Sequence, residues 1–129
     1  WVPQDNFYYA SEHTDFKPNP VRSEGTFSKY SSMDDKIDGL HWYMTFIKFG
    51  MGRCSYEASQ EVRNHHTTRD EAVALMRKYD GEFPKLYFQD FLEYMQINEE
   101  TFWTTVDRYR SPHLWRKDGN EWALRHPVE

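Results

Sequence analysis

Apolar residues along this chain recur at helical rather than strand spacing, and the longest apolar run closes the stretch from Glu24 to Arg53, EGTFSKYSSMDDKIDGLHWYMTFIKFGMGR. Wound at about 3.6 residues per turn, Ile37, Leu40, Met44, Ile47 and Met51 share one face, and Trp42, Phe46 and Phe49 form a second apolar strip beside it. The pattern predicts a core helix from about Met33 to Phe49, stopped by Gly50 and Gly52 because glycine takes the left-handed conformation that ends helices. The remaining strip of that helix holds Asp34, Asp38, His41, Thr45 and Lys48. On a helix greasy on two sides, this strip is expected to be a row of ionisable groups inside the protein. Buried charge is costly unless paired or used, so the row should be either a satisfied network or a site.

The rest of the chain carries its own start and stop signals. Ser32 and Asp35 resemble a capping box ahead of the first helix. A second helix is expected from Ser55 to Asn64, with Ala58 and Val62 inward, Glu57, Gln60, Glu61 and Arg63 outward, and His65 and His66 at its negative end. Thr68 and Glu71 form a capping box for a third, marked by Ala72, Val73, Leu75, Met76 and Tyr79 and ending near Asp80 and Gly81. Pro84 suits the first turn of a fourth, with Tyr87, Phe88, Phe91, Leu92 and Met95 at helical spacing. Asn98 can cap a fifth through Phe102, Trp103, Val106 and Tyr109, which Pro112 ends. Beyond it, Trp115 and Trp122 flank Lys117-Asp118-Gly119-Asn120, where Asp-Gly is a favoured hairpin turn. Residues Trp1 to Asn19 read as irregular or edge strand, with Phe7, Tyr8 and Tyr9 β-favouring and Pro3, Pro18 and Pro20 breaking. The fold class is therefore mainly α: an irregular segment and polar loop over 1–32, a helical domain of about five helices over 33–110, and a hairpin-like tail over 111–129.

Composition narrows what such an array can do. A chain of 129 residues suits one domain, and nearly half of its 38% hydrophobic content is aromatic, which fits interfaces and concave sites as well as cores. A net charge of -5 argues against binding nucleic acid by phosphate neutralisation. Cys54 is the only cysteine, which excludes a disulfide framework or a thiolate zinc site and points to a cytoplasmic address. His41, Lys48 and Gly50 interrupt the longest apolar run, so no membrane span is expected, and no signal peptide is visible. The chain starts at Trp1 without a methionine and is expected to be a piece of a longer polypeptide.

Two constellations carry candidate chemistry. The loop before the first predicted helix gathers Glu24, Thr26, Ser28, Lys29, Tyr30, Asp34, Asp35 and Lys36, a mixture able to hold a sugar or a phosphate, or alternatively a solvated loop whose aspartates cap the helix. The strip Asp34, Asp38, His41, Thr45 and Lys48 is a site or an internal salt-bridge network. Arg53, after two glycines, either reaches a phosphate or carboxylate or caps the preceding carbonyls. His65 and His66 point different ways on a helix and have no third ligand spaced with them, so no metal site is expected. No base stands beside Cys54, and no glycine-rich phosphate loop exists in the chain, so a complete ATP-using enzyme cannot be read here.

Over EGTFSKYSSMDDKIDGLHWYMTFIKFGMGR, and on through EVRNHHTTRDEAVALMRKYDGEFPKLYFQDFLEYMQINEETFW, the chain resembles the C-terminal part of the N-acetyl sugar amidotransferases of the ATP-pyrophosphatase superfamily, from about Asn19 to Arg110. Phe27 and Met33 stand where that family tends to have Tyr and Leu. The resemblance implies a cytoplasmic enzyme of lipopolysaccharide, O-antigen or flagellin-sugar biosynthesis that activates a sugar's N-acetyl oxygen with ATP and replaces it with ammonia, leaving an acetamidino group. Partners would be an N-terminal pyrophosphatase domain, a glutaminase resembling that of imidazole-glycerol-phosphate synthase, and a cyclase-like subunit. ATP and Mg2+ would sit mostly outside these residues, and the fragment alone would be inactive. On this resemblance the chain supplies a helical cap and one wall of a nucleotide-sugar pocket. Its candidate substrate-binding residues are Glu24, Lys29, Asp34, Asp35, Lys36, Asp38, His41, Lys48 and Arg53. Lys29, Lys36, Lys48 and Arg53 would face a diphosphate, a uronate or the leaving pyrophosphate, while Asp34, Asp38 and His41 would take sugar hydroxyls or orient those cations. The rival from another class is a stand-alone helical interaction module that docks through exposed aromatics.

Overall fold

The central rod begins at Asp38 and ends at Phe49 (α2), turned off by Gly50 in the left-handed conformation at φ 74° with its N–H on the Phe46 carbonyl. It is one of six helices in the computed structural model, which describes the whole chain, Trp1–Glu129. The others are α1 (Pro3–His13), α3 (Arg53–Arg63), α4 (Arg69–Tyr79), α5 (Phe88–Met95) and α6 (Glu99–Arg108), followed by the antiparallel strands β1 (Trp115–Asp118) and β2 (Glu121–Leu124). The molecule is thus mainly α with a short C-terminal hairpin. No helix is long and apolar enough to cross a membrane.

The core sits where α2 meets α5, α6 and the hairpin. Leu40, Tyr43 and Ile47 of α2 pack with Phe88, Leu92, Phe102, Val106 and Trp115, and the partly buried Phe83 packs against them with edge contacts to Tyr43, Phe88 and Phe102. The Trp115 indole N–H donates to the Ile47 carbonyl at 2.6 Å, which ties the hairpin to the last turn of α2. The α3–α4 pair packs through smaller groups, Cys54, Ala58, Ala72 and Val73. Thr68 and Glu71 make the expected capping box for α4, and Asn98 accepts the Thr101 N–H to cap α6.

Four expectations change. Residues 3–13 are helical, because Pro3 occupies the first helical position, where a missing N–H costs nothing, and Asp5 complements the dipole. Of the β-favouring cluster, only Phe7 packs, stacked on Tyr30 at 4.5 Å. The start of α2 moves from Met33 to Asp38, since Asp35 takes the Ile37 N–H at 2.7 Å and holds the chain in a local turn that competes with helix. Phe49 and Met51 are exposed rather than core, because α2 turns Leu40, Tyr43, Met44, Phe46 and Ile47 toward the core instead. In the hairpin Asp118 pairs with Glu121, so the two-residue loop is Gly119-Asn120, with Gly119 alone supplying the positive φ of 62°.

Candidate functional site

One aspartate sets the geometry of the polar half. Asp80, at the end of α4, accepts the N–H groups of Gly52 and Ser55 at 3.3 and 3.1 Å and the Ser55 hydroxyl, so it caps α3 from a distant point in the chain. Gly52 is required there, because a Cβ would lie 2.8 Å from the Asp80 carboxylate. Fixing the first turn of α3 aims Arg53 inward, where it is only 4% exposed. Its Nε donates to Glu57 Oε1 at 2.9 Å, and its Nη1 donates to Asp38 Oδ2 at 3.3 Å. Nη2 is buried and has no partner. An orphaned donor on a charged group costs about 1–3 kcal/mol or more, so the fold bears a penalty that an acceptor from outside the chain would remove.

The loop over Arg53 is held by a second charged group. Arg22 forms a bidentate pair with Glu82 at 2.6 and 2.7 Å and also donates to the Ser23 and Thr26 carbonyls at 3.2 Å. Gly25, at φ 80°, gives its N–H to the same Glu82 at 2.7 Å. The hydrogen bond from Arg22 holds the Glu82 carboxyl below the usual carboxylate range, and Glu82 in turn raises Arg22. Thus clamped, the fully buried Thr26 hydroxyl donates to the second oxygen of Glu57.

Two cavities meet at Arg53. The larger, about 660 Å³, is a groove lined by Arg22, Glu24, Asp34, Asp35, Lys36, Asp38 and Arg53. The smaller, about 410 Å³, has aromatic walls of Phe7, Phe27, Tyr30, Trp42 and Tyr56, with Gln60, Glu61, Glu57 and Arg53 among its polar lining. Burial, with Glu61 and Glu57 nearby, pushes the Tyr30 hydroxyl up to about 12. Glu61 accepts from His66 Nδ1 through Oε2 at 2.8 Å, and no protein donor reaches its Oε1.

Six of the candidate residues, Glu24, Asp34, Asp35, Lys36, Asp38 and Arg53, therefore share one groove. Several are occupied within it. Glu24 accepts the Lys85 and Leu86 N–H groups ahead of α5, Asp35 holds Ile37, and the Lys36 ammonium sits 2.7 Å from Asp90, whose hydrogen bond raises its pKa. Arg53 does not cap the carbonyls of α2, since its Nε and Nη1 bonds go to side chains. The remaining candidates lie elsewhere. Lys29, His41 and Lys48 are exposed and line neither cavity. The expected interior row does not exist, because packing of Leu40, Tyr43 and Ile47 turns its His41, Thr45 and Lys48 away from the core. His41 packs edge-on against Trp42, the Thr45 hydroxyl bonds back to the His41 carbonyl, and Lys48 lies over Phe49.

The sequence reading turned Glu57 and Glu61 outward, placed Trp42 in an apolar strip of the core helix, and gave no role to Tyr56, Arg22 or Glu82. The i,i+4 spacing of Arg53 and Glu57 was the available signal for one of them. Cys54 is wholly buried and its thiol is pushed up to about 12, chiefly by burial. No three His, Cys, Asp or Glu side chains gather as a metal site.

The donor set does not fit a polyphosphate. Four carboxylates face three cations in the groove, and Glu57 and Glu61 face Arg53 alone in the aromatic cavity. The residues present therefore do not provide for ATP.

These features define a mainly helical domain with two cavities meeting at Arg53 in its polar half. Over residues 24–127 the chain matches the family described as LPS biosynthesis protein WbpG-like, C-terminal domain, and it belongs to that family. The match includes the hairpin, which the resemblance through Arg110 had left out. No curated protein matches the chain.

Proposed function

We propose that this chain is the substrate-side helical domain of an ATP-dependent N-acetyl sugar amidotransferase, converting an acetamido to an acetamidino group during lipopolysaccharide biosynthesis. The observation that carries the reading is the buried, unpartnered Nη2 of Arg53, beside two cavities in a domain of a lipopolysaccharide-biosynthesis family. A sugar carbonyl or carboxylate oxygen is the acceptor this donor lacks. Asp38 accepts from Arg53 Nη1 and so orients that donor from the groove side. ATP, held by a pyrophosphatase domain elsewhere, supplies the activation that makes the acetamido oxygen a leaving group, and ammonia comes from glutaminase and cyclase-like partners.

The test is turnover in the enzyme that carries this domain. Asp38→Asn, which keeps an acceptor for Arg53 but loses the charge, should lower turnover about tenfold or more with an unchanged melting temperature. Equal loss of stability and activity would reduce Asp38 to a structural ion pair and remove the support for this reading. A second reading, a docking module without catalysis, draws on the exposed Leu86, Tyr94 and Met95, and predicts that Asp38→Asn leaves turnover untouched.

A further inference from the structure

The aromatic cavity beside Arg53 has the construction of a site for a ring that is apolar on its faces and polar around its rim. Trp42 and Tyr56 lie 5.9 Å apart at 32° and form one wall, and Tyr30 and Phe27 close the cavity beneath α1. At about 410 Å³, it falls at the lower end of the usual range for small-ligand pockets, about 300–1,000 Å³. Its polar lining includes Arg53, whose buried Nη2 is an unsatisfied donor, and Glu61, whose Oε1 no protein donor reaches, together with Glu57 and Gln60. Glu57 spends one lone pair of each oxygen on Arg53 and Thr26 and keeps the other.

We infer that this cavity is a subsite for the N-acetylated pyranose ring itself, and that the domain recognises the neutral sugar rather than the nucleotide diphosphate attached to it. The inference rests on the amidotransferase reading and sharpens its substrate. A pyranose presents C–H-rich faces to Trp42 and Tyr56, hydroxyl donors to Glu57 and Glu61, and an acetamido carbonyl to Arg53 Nη2. A diphosphate presents only negative charge, and both cavities already hold more carboxylates than cations. Nor do the other expected phosphate ligands help: Lys36 is paired with Asp90, and Lys29 and Lys48 are exposed outside both cavities.

The experiment is an NMR titration of the 129-residue chain, following backbone amides, with N-acetylglucosamine, UDP-N-acetylglucosamine and UDP as separate probes. The two sugars should shift the amides around Tyr30, Trp42 and Tyr56 with dissociation constants within about threefold of each other, while UDP does not saturate. Tyr56→Leu, at a half-exposed position, and Glu61→Gln, which keeps an acceptor for His66, should each weaken sugar binding about tenfold with the remaining spectrum unchanged. UDP binding as tightly as the nucleotide sugar would overturn the inference. So would unaltered sugar affinity in both variants, or no binding by any probe. The amidotransferase reading falls separately, if turnover proves independent of Asp38 or falls only in step with stability.

Discussion

The two halves of this molecule are held by different forces. Around α2, α5, α6 and the hairpin, stability comes from large apolar side chains in mutual contact, with Phe83, Phe88, Phe102 and Trp103 interlocked at centroid distances of 4.8–6.4 Å. Around α3, α4 and the loop from Arg22 to Asp38, buried apolar groups are small, and charged groups set the geometry: Asp80 on α3, Glu82 on Arg22, Glu57 on Arg53. An apolar core relaxes partly around a loss. A charged network loses a partner and leaves the other one buried, so the polar half is the less tolerant and the better suited to keep an unpaired donor for a ligand.

The largest effect should follow from breaking the polar half at its centre. Arg53→Ala leaves Asp38 and Glu57 without their cation and should destabilise the chain by about 4 kcal/mol in urea unfolding. Replacing pair members together, as in Arg53→Met with Glu57→Leu, should recover part of that loss, because the uncompensated charge goes with the partner. Ile47→Ala, at a position 1% exposed in the apolar half, should cost somewhat less, about 3 kcal/mol, through lost burial and a residual cavity. A larger cost for Ile47 than for Arg53 would reverse the comparison.

The apolar half was legible from the sequence because its cause is local. The spacing of Leu40 and Ile47 and the Asn98 cap are each visible within a few residues. The polar half was not, because its bonds join residues far apart: Thr26 to Glu57, Gly25 and Arg22 to Glu82. Periodicity also misled where one residue decided the outcome. Asp35 delays α2 and Pro3 starts α1, although the proline reads as a breaker in a run of β-favouring aromatics. Of the candidate site, the groove residues from Glu24 to Arg53 were found by density of polar groups, whereas the aromatic cavity was hidden because Tyr30, Trp42 and Tyr56 belong to separate elements.

Acid should distinguish the halves more gently. Because Arg22 holds the Glu82 carboxyl below its ordinary value, this pair adds stability above the unfolded carboxyl's pKa of about 4.3 and loses it as pH falls through the lower folded value. Both side chains are about a third exposed, so after solvent screening the contribution should be about 1 kcal/mol. Glu82→Gln should remove that amount at pH 7 and flatten the loss of melting temperature below about pH 4.3. The smallest effect should come from Lys48→Met, an exposed site outside both cavities, at under about 0.5 kcal/mol in the same urea unfolding.

The central claim is that Arg53 keeps a buried hydrogen-bond donor for an oxygen of the sugar. Guanidinium nitrogen resonances of Arg53, recorded through a titration with N-acetylglucosamine, test it directly. The Nη2 signal should move and saturate at the same sugar concentration as the backbone amides of Tyr30 and Tyr56. A guanidinium signal that stays still while those amides shift would contradict the claim.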